Sequence, residues 1–194
     1  MTDPVQVIPP RFNKTEARRL FDPPGFRGFR WRLFRRQRRL DGGKPPKLEI
    51  VWIPHYAMTI ETIFRGRRKD VSVSVDALAG TFALFERQGE LEPQIPGENH
   101  FPPRLTEAEA AENAKTDLLR TIMMMRSNKQ KARPERIFDI RLFYHPYWVY
   151  YYVRWPRLHD FLVIDAYSGA KTGPKIKLAL IHAFQEAASE TEPP

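Results

Sequence analysis

Leu48–Phe64 reads LEIVWIPHYAMTIETIF, and Ile140–Val153 reads IRLFYHPYWVYYYV. In the first stretch the even positions Leu48, Ile50, Trp52, Tyr56, Met58 and Ile60 are apolar. That alternation is the period of a strand with one face on a core. The second stretch, extended back to Phe138, keeps the same parity through Phe138, Ile140, Leu142, Tyr144, Trp148, Tyr150 and Tyr152. Pro54 aligns with Pro146, 92 residues later. A proline has no N–H for a ladder, so each predicts a bulge or bend that divides its long strand into two shorter ones.

Working outward from these strands, two further matches occur in the same order. Upstream, IPPRFNKTEARR from Ile8 matches FPPRLTEAEAAE from Phe101, each placing Pro-Pro-Arg before a helix-start pattern. Downstream, VSVSVDALAG ending at Gly80 matches FLVIDAYSG ending at Gly169. Glycine supplies the positive φ of a tight turn, and an aspartate ahead of it accepts backbone N–H bonds. Three ordered matches point to an internal duplication. Each unit reads helix, long strand, short strand, turn and return strand, with Thr81–Phe85 as the return in the first copy. Thr106–Asn128, rich in Ala, Glu, Leu and Met, predicts one helix, and Pro174 opens another running to about Ser189.

The predicted fold is therefore α+β: two tandem repeats, each a helix with a three-stranded antiparallel sheet, followed by a C-terminal helix. The boundaries expected are residues 1–47 for a basic arm with the first repeat helix, 48–90 for the first sheet, 91–103 for a linker, and 104–194 for the second repeat with the closing helix. In the second copy Phe143, Tyr147, Val149, Tyr151, Val153, Phe161 and Val163 make the other sheet face apolar as well. A sheet apolar on both faces needs cover on both. The C-terminal helix, the arm or another chain would supply it.

The order Pro-x-Leu-Thr-x-x-x-Ala, helix, long strand and Asp-Ala-x-x-Gly resembles PepSY-type domains. Arg104–Ala110 with Phe161–Gly169 carry the resemblance, and Arg11–Ala17 with Val71–Gly80 carry it more weakly. It implies a helix packed on an antiparallel sheet and a non-catalytic binding or regulatory module.

Charge divides the chain unevenly. Of 194 residues with a formal net charge of +9, residues 1–47 hold 13 Lys+Arg against 4 Asp+Glu, and the remainder is balanced. Gly25–Leu40, GFRGFRWRLFRRQRRL, holds Arg27, Arg30, Arg32, Arg35, Arg36, Arg38 and Arg39, interleaved with Phe26, Phe29, Trp31 and Phe34. Arginine forks pair with phosphates or carboxylates, and the aromatic rings can stack on bases. As a helix, the segment would suit an anionic membrane surface or an acidic groove on a protein. By the repeat alignment it also occupies the place of the Leu118–Met125 helix, with its rings as core. Partner-contact candidates are accordingly Arg27, Arg30, Trp31, Arg32, Arg35, Arg36, Arg38 and Arg39 in the arm, and Tyr147, Tyr151 and Trp155 on the aromatic face.

No catalytic residue, metal ligand set or cofactor is predicted. The chain has no cysteine, no Walker loop, no GxGxxG, no GxSxG and no HExxH. Asp76 and Asp165, paired by the repeat, are expected to form turns. His55 and His145, one after and one before the matched prolines, are expected to be structural or superficial. No stretch is apolar enough to span a bilayer, and the start lacks the pattern of a signal peptide, giving a cytoplasmic expectation. The functional expectation is an accessory, adaptor or scaffold subunit that binds a protein partner or a second copy of itself. The alternative is nucleic-acid binding through the arm.

Overall fold

The computed structural model describes residues 5–21, 47–64, 66–124, 133–155 and 158–191. Its strands are β1 (Gln6–Val7), β2 (Leu48–Phe64), β3 (Arg67–Asp76), β4 (Phe82–Leu84), β5 (Glu92–Pro93), β6 (Arg133–Trp155) and β7 (Leu158–Asp165). Its helices are α1 (Lys14–Phe21), α2 (Glu107–Met124) and α3 (Pro174–Thr191). The α+β class and the closing helix agree with the sequence. The strands, however, form one seven-stranded sheet and not two three-stranded ones. Its order is β4-β3-β2-β6-β1-β5, with β7 also pairing β6. Among the described residues copy two shows no third strand, only an isolated bridge between Ile164 and Lys171. Part of the stretch between the copies belongs to the sheet as well: β5 pairs β1, and His100 bridges Trp52.

The two long strands lie antiparallel at the centre, with Pro54 opposite Tyr144 and Trp52 opposite Pro146. Shifting the first pair by 92 residues gives the second, so the copies are related by a local two-fold at the Ile53–His145 pair. Neither proline breaks its strand. Each points its carbonyl at the Asp-Ala-x-x-Gly turn: Pro54 accepts from the Ala77 N–H at 2.9 Å, and Pro146 from the Ala166 N–H at 3.0 Å. The interruption lies elsewhere. The register shifts between Ala57/Thr59 and again between Glu61/Thr62, and Asp139 takes a φ of 56°. Aspartate tolerates the left-handed region better than most side chains, and the extra residue reverses the parity of the strand. Ile137 thus joins the core face with Ile140 and Leu142, where parity alone had placed Phe138.

The helices cover the sheet crosswise. α1 belongs in sequence to the first strand pair but packs on the second and the start of β2, where Ala17 and Phe21 meet Trp148, Tyr150, Tyr152, Ile164 and Ala166 together with Leu48 and Ile50. α2 packs on the first pair and the first half of β6, where Ala110, Ala114, Leu118 and Ile122 meet Tyr56, Met58, Ile60, Val73 and Val75 together with Ile137, Ile140 and Leu142. Both helices begin with a capping box, Asn13 with Glu16 and Thr106 with Glu109. Their entry turns are anchored by matched bonds. Ala77 O accepts from Arg104 and Leu105 N–H, and Ala166 O accepts from Arg11 and Phe12 N–H. The Tyr56 hydroxyl donates to Leu105 O at 3.2 Å, and Trp148 Nε1 donates to Phe12 O at 2.8 Å. Gly169, at φ 71°, lies so close to Phe12 that a Cβ there would meet its ring at 3.1 Å.

The other face is treated unequally. α3 lays Ala179, Leu180 and Ala183 on Val51, Ile53, Val149, Phe161 and Val163, so the apolar second face of copy two is covered from within the chain. On copy one the corresponding region carries Ser74, Thr59 and His55, and α3 does not reach it.

Candidate functional site

Beyond α3 this face holds a cleft of about 420 Å³. That is large enough for a small molecule or a long side chain. It is lined by β2 (His55), β3 (Ser74), the β4 strap (Ala83–Arg87), β6 (Phe143, His145, Tyr147) and β7 (Asp165). Strand alternation produces this grouping, because odd positions of β2 and β6 share one face and the two-fold brings their centres together. The aromatic rings pack closely. Phe85 stacks on Phe143 at 5.0 Å, His55 lies 5.4 Å from Phe143 and 5.6 Å from His145, and His145 lies 4.8 Å from Tyr147.

The polar groups are bonded unequally. His145 Nε2 is 2.8 Å from Asp165 Oδ1, which also accepts the Tyr167 N–H, and Asp165 Oδ2 accepts from the Ser168 hydroxyl. Although burial alone would raise the Asp165 pKa, these bonds and the His145 charge hold it well below the usual carboxylate range. Across the ladder, Asp76 directly faces His55. Asp76 Oδ1 accepts the N–H groups of Leu78 and Ala79, but Oδ2 is buried with no hydrogen-bond partner among the described residues. Burial raises the Asp76 pKa against those bonds. His55 Nε2 is likewise buried without a partner, and desolvation followed by the nearby His145 pushes the His55 pKa well below normal. Tyr147 is raised by burial and then by Asp165 and Asp76, so it stays protonated.

Above the cleft, Arg87 stacks on one side of Tyr167 at 4.0 Å, and Arg11 also packs on that ring at 3.9 Å and pairs with Glu90. These contacts fasten the Phe85–Glu90 strap to the second copy's turn.

Of the contact residues expected from sequence, Tyr147 lines the cleft and is buried. Tyr151 is half-buried beneath α3, 5.9 Å from Phe161 and 6.0 Å from Phe184. Trp155 pairs through its backbone with Leu158 at the end of the β6–β7 ladder. Arg27, Arg30, Trp31, Arg32, Arg35, Arg36, Arg38 and Arg39 lie outside the described residues. Asp76 and Asp165 do build the turns expected of them, and they also flank the cleft. Sequence reasoning had the signal for this, since both histidines adjoin the matched prolines, but it lacked the strand register that unites them. Among the described residues no three His, Asp or Glu side chains are arranged to hold a metal ion. No helix among them is long and apolar enough to cross a membrane.

Fold and site together define an α+β protein with one seven-stranded, mostly antiparallel sheet and a cleft beside the local two-fold of its central strands. Comparison with family models, curated proteins and solved structures finds no match.

Proposed function

We propose that this protein is a non-catalytic accessory or adaptor subunit, and that the cleft at the repeat junction holds a group of its protein partner. The observation that carries this reading is His55. It lines the cleft, and its Nε2 is buried with no hydrogen-bond partner among the described residues. A buried polar atom left unpaired costs about 1–3 kcal/mol, which a bound group able to pair with it would recover. A catalytic reading has less support. Nucleophilic chemistry needs a hydroxyl or thiol within hydrogen-bond reach of a base. Among the described residues, no hydroxyl bonds to either imidazole, and both Asp165 oxygens are already occupied. The resemblance to PepSY-type units supports the same choice.

Ala83 offers the test. It is exposed on β4, directly opposite Ser74, and lines the cleft. Ala83→Trp should fill the mouth without touching the core. In affinity isolation from source cells, the wild-type chain is expected to bring down a defined partner that Ala83→Trp loses, with thermal midpoints alike. Identical partners for both chains, or no partner for either, would overturn the proposal.

The charge division favours a second reading, nucleic-acid binding through residues 1–47. It predicts an affinity for RNA or DNA that falls steeply with salt and vanishes when that segment is removed. Binding unaffected by salt would exclude it.

A further inference from the structure

We infer that the strap over the cleft, residues 83–90, is an acid-operated latch: it is closed while His55 is neutral and released when His55 takes up a proton. The inference goes beyond the binding reading and holds whatever the cleft receives. Its basis is the way His55 is enclosed. The imidazole is 8% exposed, its Nε2 is buried with no hydrogen-bond partner among the described residues, and its ring lies 5.6 Å from that of His145. A proton added at Nε2 therefore meets no acceptor, in a site withdrawn from water and beside a second imidazole. The cover above it is lightly held. β4 has three residues, and its described pairing is with β3. Beyond it the Phe85 N–H bonds Ser72 O at 2.9 Å, and Gln88 Nε2 bonds Thr59 Oγ1 at 3.3 Å. Phe85 stacks on Phe143 at 5.0 Å, and His55 packs on the same ring at 5.4 Å. Lifting Phe85 thus uncovers the ring that shelters His55. Short edge segments with few bonds open at far less cost than the whole fold.

The groups that face His55 set the direction of the response. β6 supplies His145 and Tyr147, β7 supplies Asp165, β3 supplies Asp76, and the strap supplies Glu86 and Arg87. Burial and then His145 hold the His55 pKa well below the ordinary imidazole value, with Asp165 acting against them. Asp165 is committed to His145, Ser168 and the Tyr167 N–H, and Tyr147 stays protonated. Asp76 lies outside the cleft lining, with Oδ1 bonded inside its own turn. Glu86 and Arg87 carry one charge of each sign and leave with the strap. Opening returns His55 to an ordinary pKa of about 6.5. Each pH unit below that value then favours the open strap by about tenfold, until the closed-state pKa is reached.

The chain has no cysteine, so Ser74→Cys places a single reporter thiol at a buried position in the cleft lining. Its labelling by a dipyridyl disulfide, relative to a short peptide of the same local sequence, measures opening. Protection is expected to fall at least about 10-fold from pH 7 to pH 5. It should be unchanged by about 1 M urea, because lifting the strap exposes little surface. Val149→Cys, buried under α3, reports global unfolding and should be better protected and lose protection in urea. With His55→Phe added, protection of the Ser74→Cys thiol should change less than about 3-fold over the same pH range. Proton resonance of the His55 ring in the wild-type chain needs no variant, and its midpoint should lie well below about 6.5. Protection independent of pH, an equally steep fall with His55→Phe, equal urea dependence of the two thiols, or an ordinary His55 midpoint would each overturn the latch.

Discussion

Asp76 and Asp165 occupy the same place in two matching turns, yet their surroundings shift their pKa values in opposite directions. Each precedes an alanine whose N–H bonds a matched proline carbonyl, and each accepts the N–H two residues on. Asp165 also meets His145, while the residue two-fold related to His145 is Ile53, which offers Asp76 nothing. His145 and the other bonds hold the Asp165 carboxyl below the normal range, while burial raises that of Asp76. The backbone scaffold is alike in the two halves while the side chains at the junction differ, and the cleft there takes groups from both.

The largest test of the shared scaffold falls on Tyr56 and Trp148, equivalent residues that anchor the two helix entries. Trp148→Ala should cost about 3–5 kcal/mol by urea denaturation, since it removes a buried ring and its bond to Phe12. Tyr56→Phe keeps the ring and should cost about 1 kcal/mol. The glycine pair comes next. Gly169→Ala combines positive φ with a close approach to Phe12 and should cost roughly 2–3 kcal/mol. Gly80→Ala meets Asn113 and Leu105 less closely and should cost about 1–2 kcal/mol. Equal losses would mean that the two turns are not packed differently.

The aspartates themselves should part in sign. Asp165→Asn is expected to lose about 1–2 kcal/mol at neutral pH. Asp76→Asn, which keeps the acceptor for Leu78 and Ala79, should stay within about 0.5 kcal/mol of wild type or gain stability. The pH dependence carries the same contrast. Asp165, with its folded pKa depressed, stabilises the fold above the ordinary aspartate range, and that contribution is lost as pH falls through its folded value. Asp76, with its folded pKa raised, binds its proton more tightly when folded. Stability from it therefore falls as pH rises from the ordinary aspartate value through the raised one. His55 adds a loss as pH drops below the ordinary imidazole range, because the unfolded chain takes up a proton that the folded one resists. Urea titrations of wild type, Asp165→Asn and Asp76→Asn across pH 3–8 separate these slopes.

Much of this scaffold was legible in the residues. Alternation at Leu48–Ile60 and Ile140–Tyr152 marked the central strands, and the Asp-Ala-x-x-Gly turns announced themselves through glycine and aspartate chemistry. Three things were not legible, each for a physical reason. Alternation counts residues and cannot see a bulge, so Phe138 was placed on the wrong face until Asp139 supplied the extra residue. The prolines looked like breaks because their missing N–H was weighed, while their carbonyls, which hold the turns, were not. A repeat in sequence is also indifferent to whether each helix covers its own strands or its twin's. The cleft depended on that third dimension. His55, Asp76, His145 and Asp165 were all noticed, but only the antiparallel register of β2 with β6 sets them side by side.

Crosswise packing is the central claim, and splitting the chain tests it most directly. Ile95 is exposed, and residues 1–95 and 96–194 separate the two copies there. If each helix depends on the other copy's strands for much of its core, neither fragment alone should show cooperative unfolding by circular dichroism. Mixed in equal amounts, they should assemble into a one-to-one complex that melts cooperatively. Two fragments that each fold by themselves as monomers, with no gain on mixing, would contradict the interlocked arrangement.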